Sequence, residues 1–183
     1  MDNQEIQHLI SLGKQGDKHA FSALVRYFQP KIFTLAFRML CDEEEAKDAV
    51  QETFLKAWLQ LNTYNPDFHF STWLYKIASN VCLDKLKSFE KSHSTKITDI
   101  DIQSVKNQSN IETEIINKEL AETVRRLTER LSSKQKIVFT LRYLEELEIE
   151  EITQITGLSA AKIKSNLYLA RQTITNQLRN DEK

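Results

Sequence analysis

Glycine, proline and cysteine are scarce in this sequence of 183 residues, which contains 3 Gly, 2 Pro and 2 Cys. So few turn-forming residues exclude a many-stranded β protein. The three glycines also lack the spacing of a glycine-rich phosphate loop. Cys41 and Cys82 lie far apart in the sequence, so they form neither a disulfide framework nor a Cys-x-x-Cys metal or redox site.

Long apolar runs and a strong net charge are also lacking. No apolar stretch approaches the roughly 18–20 residues of a membrane helix, and the acidic, polar N-terminus does not resemble a signal peptide. We therefore expect a soluble, reduced, cytoplasmic protein with no membrane contact of its own. The formal net charge of −1, from 25 Lys+Arg and 26 Asp+Glu, by itself argues against a nucleic-acid partner.

Apolar residues recur at helical spacing along most of the chain, which predicts an all-α protein. Asp17 and Asp42 are placed to cap helices, and Pro30 predicts a kink or an end in the first of these. Ser71 or Thr72 is placed to cap a later helix, and Ser132 with Gln135 has capping-box spacing. Because the periodicity fades in a polar stretch, we predict two helical domains, 1–87 and 111–183, joined by a flexible linker over 88–110.

The C-terminal region has the spacing of a helix-turn-helix. Residues 148–156 predict a short helix, Gly157 suits a left-handed helix end, and Ser159 is placed to cap a second helix. On that second helix, apolar residues at helical spacing predict a buried stripe: Ile163, Leu167, Ala170 and Ile174. The rest of the helix carries side chains suited to base edges and phosphates: Lys162, Lys164, Ser165, Asn166, Tyr168 and Arg171.

Charge is segregated around this motif. Residues 157–180 contain four basic residues and no acidic one, whereas residues 145–156 contain five glutamates and no basic residue. An αα-hairpin with a solvated basic face is an alternative interpretation of the same pattern. The motif alone leaves both interpretations open.

Two segments of the first half resemble conserved region 2 of bacterial sigma factors. Residues 48–58 read Asp-Ala-Val-Gln-Glu-Thr-Phe-Leu-Lys-Ala-Trp, and residues 70–80 read Phe-Ser-Thr-Trp-Leu-Tyr-Lys-Ile-Ala-Ser-Asn. Residues 151–171 resemble region 4 of the same proteins. With only a linker between the two regions, the chain is similar to the extracytoplasmic-function (ECF) group of the sigma-70 family. The resemblance implies a non-enzymatic, dissociable RNA polymerase subunit that recognises promoters and melts DNA, without a cofactor.

The resemblance also implies partners and a docking surface. Core RNA polymerase, contacted at its clamp and its flap, and promoter DNA are the expected partners, and ECF factors are often held inactive by an anti-sigma protein. Asp48, Gln51, Glu52 and Leu55 fall on one stripe of one helix and match the stripe that docks on the clamp in this family. A solvated helix face is the alternative interpretation of the stripe.

The resemblance places −10 element binding on a loop and the helix that follows it. The matching residues are Phe68, Phe70, Trp73, Tyr75, Lys76 and Asn80. Exposed aromatic rings stack on unpaired bases, at about 1–3 kcal/mol per base, and an asparagine amide bonds base edges. The alternative for Phe70 and Trp73 is a place in the core. Lys85 and Lys87 are further candidate phosphate contacts.

The second helix of the helix-turn-helix is expected to contact the −35 element through the six polar and basic residues given above. It departs from the family pattern at three positions, because Lys162 stands where threonine is usual, and Asn166 and Leu169 stand where arginine is usual. The helix therefore carries two fewer arginines than the family pattern.

Two other functions stay open on the residues alone. A polymerase-independent helix-turn-helix regulator would share the C-terminal motif, but it gives no reason for the two segments of the first half. The pairs Glu5/His8 and Glu90/His93 have the Glu-x-x-His spacing of di-iron bundles. The first pair lies near a terminus and the second in polar linker, so we expect no metal. Both cysteines are expected to be buried small hydrophobes.

Overall fold

The computed structural model describes residues 1–93 and 122–181, and the side chains of residues 1–89 and 122–179. Within these ranges every regular element is a helix, which confirms the all-α prediction. In the first part, α1 spans Asn3–Lys14, α2 Lys18–Leu40, α3 Glu43–Gln60 and α4 Phe70–His93, and a 3-10 turn covers Leu61–Thr63. None of the described helices is both long and apolar enough to cross a membrane.

Aspartates begin the first three helices. Asp17 accepts hydrogen bonds from the amides of His19 and Ala20, and Asp42 accepts one from the amide of Glu45 at 2.9 Å. Both predicted caps are therefore confirmed. Three glutamates occupy the first turn of α3, where negative side chains are favoured by the positive end of the helix dipole.

Helix α2 continues through Pro30, so the predicted helix end at this residue is wrong. A proline in a helix interior removes one backbone donor and costs roughly 3 kcal/mol. Phe28 and Ile32, on either side of Pro30, are both buried in the same core. The burial of one apolar face on both sides of the proline offsets the lost hydrogen bond.

Helix α4 begins at Phe70, before the predicted caps Ser71 and Thr72, and the prediction of either cap is wrong. The first turn already includes the bond from the amide of Trp73 to the carbonyl of His69. Phe70 is buried. The start of α4 is therefore set by an apolar anchor rather than by a hydroxyl cap.

Helices α1 to α4 form the first domain. Helix α2 packs against α1, α3 and α4, and α3 packs against α4. The largest fully buried side chains of this bundle are Leu24, Ile32, Leu35, Met39, Leu74 and Val81. This core holds α3 and the start of α4 in fixed positions, and these elements carry the predicted polymerase and −10 sites.

The second domain contains the predicted helix-turn-helix. Residues 122–128 are helical, α5 spans Ser133–Phe139 and runs into a π-helical turn, Thr140–Leu144, and α6 (Ile149–Thr156) and α7 (Ala160–Asp181) follow. The capping box of Ser132 and Gln135 is confirmed. Gly157 has φ 70° and ends α6 as predicted. In the predicted stripe Ile163, Leu167 and Ala170 are buried, whereas Ile174 is half-buried.

The two domains pack against each other. Helix α4 contacts α5 and α6, α2 contacts the π-helical turn, and the buried residues of both domains form one continuous apolar cluster. Arg125 donates a hydrogen bond to the carbonyl of Cys41, across the interface, at 2.5 Å. Residues 94–110 of the predicted linker, and residues 111–121 of the helix predicted after it, lie outside the described residues.

Candidate polymerase and nucleic-acid interfaces

The stripe predicted to dock on the polymerase clamp lies on the exposed side of α3. Asp48 and Gln51 are exposed, and Leu55 is 59% exposed. Glu52 forms an ion pair with Lys56 at 2.7 Å. The opposite side of α3 is buried in the bundle: Ala46, Ala49, Val50, Phe54 and Ala57. The α3 stripe, defined as Asp48, Gln51, Glu52 and Leu55, therefore faces solvent on a helix whose other side is held by the core.

Leu59 extends the α3 stripe by one turn and was not predicted. It follows Leu55 by four residues and is 72% exposed. Because residues four apart are neighbours on a helix surface, the two leucines form one apolar strip. The same spacing rule that identified the stripe would have found Leu59 if it had been carried one turn further.

The aromatic residues predicted at the −10 element do not share one environment. Phe68 is 47% exposed, whereas Phe70 is 3% exposed. The Phe70 ring packs against Phe28 and Tyr64, with centroids 5.4 and 5.3 Å away. The prediction that Phe70 is an exposed stacking ring is therefore wrong, because this side chain anchors the start of α4 in the core. Trp73 is half-buried, with its ring 5.3 Å from that of Phe70.

Tyr75 is buried as well, against the second domain. Its hydroxyl donates a hydrogen bond to Glu145 Oε2 at 2.9 Å. Burial, together with the negative charge of Glu145, raises the pKa of the Tyr75 hydroxyl, which therefore stays protonated as a donor. The prediction that Tyr75 is exposed is wrong in this arrangement, because the two domains meet at this position.

A cavity of about 460 Å³ lies where residues 60–68 meet α4. Four of the predicted −10 residues line it: Phe68, Trp73, Lys76 and Asn80. Its volume falls within the range of about 300–1,000 Å³ that is common for sites of small organic groups. Two rings, one cation and one amide are therefore gathered in a single cavity, where they can stack on a base, pair with a phosphate and bond a base edge. We call it the α4 cavity.

The α4 cavity has polar lining residues that were not predicted. Gln60, Thr63 and Asn65 contribute amide and hydroxyl groups from the turn before the aromatic loop, and Gln154 reaches it from α6. The first three lie within eight residues of Phe68, so a search of the polar neighbours of the aromatic loop would have found them. Gln154 could not have been found that way, because only the packing of the two domains brings it there.

The lysines of α4 differ in their partners. Lys85 pairs with Glu45 at 2.7 Å, and Lys87 pairs with Asp84 at 3.3 Å. Lys76 is exposed, lines the α4 cavity and forms no ion pair within the described part of the chain. Of these three lysines, Lys76 is therefore the one best placed to meet a phosphate.

The DNA-facing residues predicted on α7 are mostly exposed. Five of the six are on the surface: Lys162, Lys164, Ser165, Tyr168 and Arg171. Asn166 is partly buried, and its side-chain amide donates to the carbonyl of Lys162 at 2.8 Å. The guanidinium of Arg171 lies 5.9 Å from the ring centroid of Tyr143. The helix thus presents one row of polar and basic groups beside its buried stripe.

Both cysteines are buried and form no disulfide, as predicted. Burial raises the pKa of the Cys82 thiol to about 12 and also raises the pKa of Cys41. In the part of the chain that the structure describes, no three or more His, Cys, Asp or Glu side chains are grouped to hold a metal ion. Glu5 and His8 are exposed on α1, and the side chains of the second Glu-x-x-His pair, residues 90 and 93, lie outside the described set.

Comparison with known proteins matches both domains to one family. A family model of sigma-70 region 2 matches residues 24–91, and one of sigma-70 region 4 matches residues 121–174. The ECF RNA polymerase sigma-E factor of Escherichia coli K12 is 31% identical over 94% of this chain and 93% of its own. The chain belongs to the sigma-70 family, in its ECF group. The ECF sigma factor SigW of Bacillus subtilis is similarly close, at 29% identity over 95% of this chain and 97% of its own.

The fold of this ECF sigma factor is also found in solved structures. CnrH, solved in complex with the cytosolic domain of CnrY, superposes with a TM-score of 0.71 at 22% identity, over 97% of this chain and 99% of its own. The sigma factor RpoE of Bartonella quintana, solved in complex with the anti-sigma factor NepR, gives 0.64 at 21% identity, over 87% of this chain and 96% of its own. Both likenesses concern the fold.

Family membership decides between the functions that the residues alone leave open. The chain is a sigma factor, an RNA polymerase-associated protein of transcription initiation, and it is not an enzyme. A regulator that acts without polymerase is not favoured, because the region 2 model accounts for the first domain as well as the region 4 model for the second.

Proposed function

We propose that this sigma factor docks on the polymerase clamp through the α3 stripe, holds unpaired −10 bases in the α4 cavity and contacts the −35 duplex through α7. The observation that carries the proposal is the α4 cavity, which brings two rings, a cation and an amide together beside the start of α4. Residues 1–87 then carry the clamp and −10 contacts, and residues 111–183 carry the −35 and flap contacts. The protein acts in the cytoplasm, where core polymerase is found.

Docking on the clamp is supported by the chemistry and rigidity of the α3 stripe. Asp48 and Gln51 are exposed beside two exposed leucines, Leu55 and Leu59. Acidic groups around an apolar strip complement a basic helical partner. Since the other side of α3 lies in the core, the stripe is presented without a rearrangement of the helix.

Charge reversal within the α3 stripe tests the docking. We expect Asp48→Arg to weaken co-purification with core polymerase by at least about tenfold, because it replaces an acidic group of the stripe with a cation that repels a basic partner. Glu43→Arg is the matched control: it makes the same charge change in α3, at an exposed position outside the stripe. If both variants bind core polymerase like the unmodified protein, the α3 stripe is not the docking surface.

Capture of −10 bases is tested by removing the exposed ring of the α4 cavity. We expect Phe68→Ala to reduce open-complex formation by the reconstituted holoenzyme about tenfold, because the lost stacking is worth about 1–3 kcal/mol per base. Run-off transcription on a library of promoter fragments measures the effect. Phe89→Ala removes another exposed ring, from α4 but outside the cavity, and should transcribe normally. Equal activity of the two variants would exclude stacking on Phe68.

We also propose that a partner protein binds this sigma factor and holds it inactive. Two solved structures of the same fold are complexes, CnrH with a domain of CnrY and RpoE with the anti-sigma factor NepR. The exposed apolar side chains of α3 and α7 suit such a partner: Leu55, Leu59, Tyr168 and Leu169. Affinity capture of the full chain from the lysate of its own host should yield a stoichiometric partner besides polymerase, and its absence would contradict this part.

A further inference from the structure

One carboxylate of the second domain is shared by two helices of the first. Glu145 Oε1 accepts a hydrogen bond from Arg38, in the last turn of α2, at 2.8 Å. Glu145 Oε2 accepts one from the Tyr75 hydroxyl of α4 at 2.9 Å. Arg38 also donates to the carbonyl of Leu144. The side chain of Glu145 is 9% exposed and that of Arg38 is 28% exposed, so the carboxylate lies inside the domain interface and the guanidinium lies nearer its rim.

The contact places an acidic segment beside the start of α4, next to the face that is proposed to receive DNA. Glu145 begins the run of five glutamates between residues 145 and 151. A cavity of about 290 Å³ separates this run from the first domain, with Lys31, Ser71 and Tyr75 on one side and Glu145 and Glu151 on the other. Two carboxylates of the run thus share a cavity with one ammonium and with hydroxyl groups of α4, which are groups that the phosphates of a nucleic acid strand would also contact.

The second domain also reaches the α4 cavity itself. Gln154, on the helix that follows the acidic run, contributes to its lining, opposite Lys76 and Asn80 of α4. Tyr75, the residue before Lys76 in α4, is only 8% exposed, because Glu145 of the second domain covers it. In this arrangement, therefore, the second domain covers one predicted DNA-binding residue, Tyr75, and contributes one residue, Gln154, to the lining of the α4 cavity.

We propose that residues 145–151 act as an intramolecular competitor of single-stranded DNA, held on α4 by the contact of Glu145 with Arg38 and Tyr75. The inference rests on the proposed DNA-binding face of α4. In the closed arrangement Glu145 covers the Tyr75 position of this face and Gln154 reaches the α4 cavity, and the domains separate before a strand binds along the whole face. All three groups of the contact regain water when the domains part, so the contact can be broken without leaving a charge buried and unpaired.

The prediction concerns the full chain and single-stranded DNA of mixed sequence, labelled with a fluorophore. If the closed form is about 90% populated, opening it raises the apparent affinity about tenfold. We expect Glu145→Gln, which keeps the shape of the side chain, to approach that gain in fluorescence anisotropy titrations. Glu146→Gln makes the same charge change at the next, exposed residue, and should change the affinity less than about twofold.

A second variant separates release of the contact from a simple gain of positive charge. Arg38→Gln removes a cation, which would weaken binding of DNA by charge alone. Because it removes the partner of Glu145, we expect it to strengthen binding instead. Weaker binding by Arg38→Gln, or equal binding by Glu145→Gln and Glu146→Gln, would overturn the proposal.

Opening of the domains is measured independently of DNA. Spin labels at Glu44→Cys and Arg179→Cys lie on exposed positions of α3 and α7, and the native cysteines are buried. We expect a narrow distance distribution in the unmodified chain and in Glu146→Gln, and longer, broader distances in Glu145→Gln. If the domains of Glu145→Gln separate but its affinity for DNA does not rise, the proposed competition is wrong. Transcription by the Phe68→Ala holoenzyme then tests separately whether α4 binds DNA as proposed.

Discussion

Lys136 is a buried lysine at the interface of the two domains, and its described hydrogen-bond partner is a thiol rather than a carboxylate. Its ammonium lies 3.9 Å from Cys41 Sγ, and its exposed fraction is 8%. Burial lowers the pKa of Lys136, although the Cys41 thiol acts in the opposite direction, and the nearby cation Arg125 lowers it further. A charge in this place costs stability, because no carboxylate pairs with it in the described part of the chain.

We expect Lys136→Met to increase the free energy of unfolding at pH 7 by about 1 kcal/mol, because it removes a poorly compensated buried charge and keeps the volume. The gain should shrink as the pH rises toward the ordinary lysine pKa of 10.5. Above its lowered folded-state pKa, Lys136 is neutral in the folded protein but still protonated when unfolded, so the unmodified chain gains stability with pH there.

Urea unfolding of both proteins at neutral and alkaline pH, each carrying Cys41→Ala, checks this difference. Without that second substitution the loss of Lys136 would also change the pKa of the Cys41 thiol, which the nearby ammonium lowers. Lys134→Met is the control, since Lys134 is exposed on the same helix. Its effect should be small and independent of pH. A Lys136→Met protein less stable than the unmodified one would show that the ammonium contributes a favourable contact.

At the scale of single elements, α7 contains a side-chain hydrogen bond that we expect to weaken its proposed contact with DNA. Asn166 stands where the family pattern has arginine, and its amide donates to the carbonyl of Lys162 on its own helix. A side chain that bonds its own backbone has one fewer donor for a base edge or a phosphate. Leu169, at the other position where arginine is usual, is 42% exposed.

We expect Asn166→Arg to strengthen binding of duplex DNA by the full chain, because one phosphate contact is added. The slope of log affinity against log salt concentration should become steeper by about one, since about one more counterion is released. Titrations at several salt concentrations measure both quantities. Asn166→Gln keeps the amide and adds no charge, so its salt slope should equal that of the unmodified chain. An unchanged slope for the arginine variant would place residue 166 away from the DNA.

At the scale of the whole molecule, near-neutrality hides a separation of charge. The regional charges are −2 for residues 1–86, 0 for residues 87–118 and +1 for residues 119–183, and the last value combines the five glutamates of 145–156 with four basic residues of 157–180. The net charge considered alone argues against a DNA partner. Once the distribution of charge along the chain is considered, it no longer does. It indicates that the free protein has little electrostatic affinity for DNA.

We expect the free chain to bind promoter duplex weakly, and the holoenzyme to bind it far more tightly, because polymerase supplies most of the phosphate contacts. Electrophoretic mobility shifts with and without core polymerase test this at one salt concentration. The matched control is core polymerase alone. Tight, sequence-specific binding by the free chain would contradict the prediction and would favour a regulator that acts without polymerase.

Much of the fold and part of the candidate site follow from the sequence alone, because the signals involved are local. The caps at Asp17, Asp42 and Ser132 and the left-handed end at Gly157 each depend on atoms within about four residues. The exposed α3 stripe follows from the same helical period that buries the other side of α3. These features would be expected wherever the helices were placed.

Only the tertiary structure decided which predicted site residues are accessible. Phe70 and Phe68 are both aromatic and two residues apart, yet one anchors α4 in the core and the other lines a cavity. Tyr75 is covered because Glu145, 70 positions later in the chain, reaches it. No local pattern encodes such a contact, since it depends on how two separately patterned domains pack together. The sequence by itself therefore determined the helices and their faces, and packing determined which faces remain open.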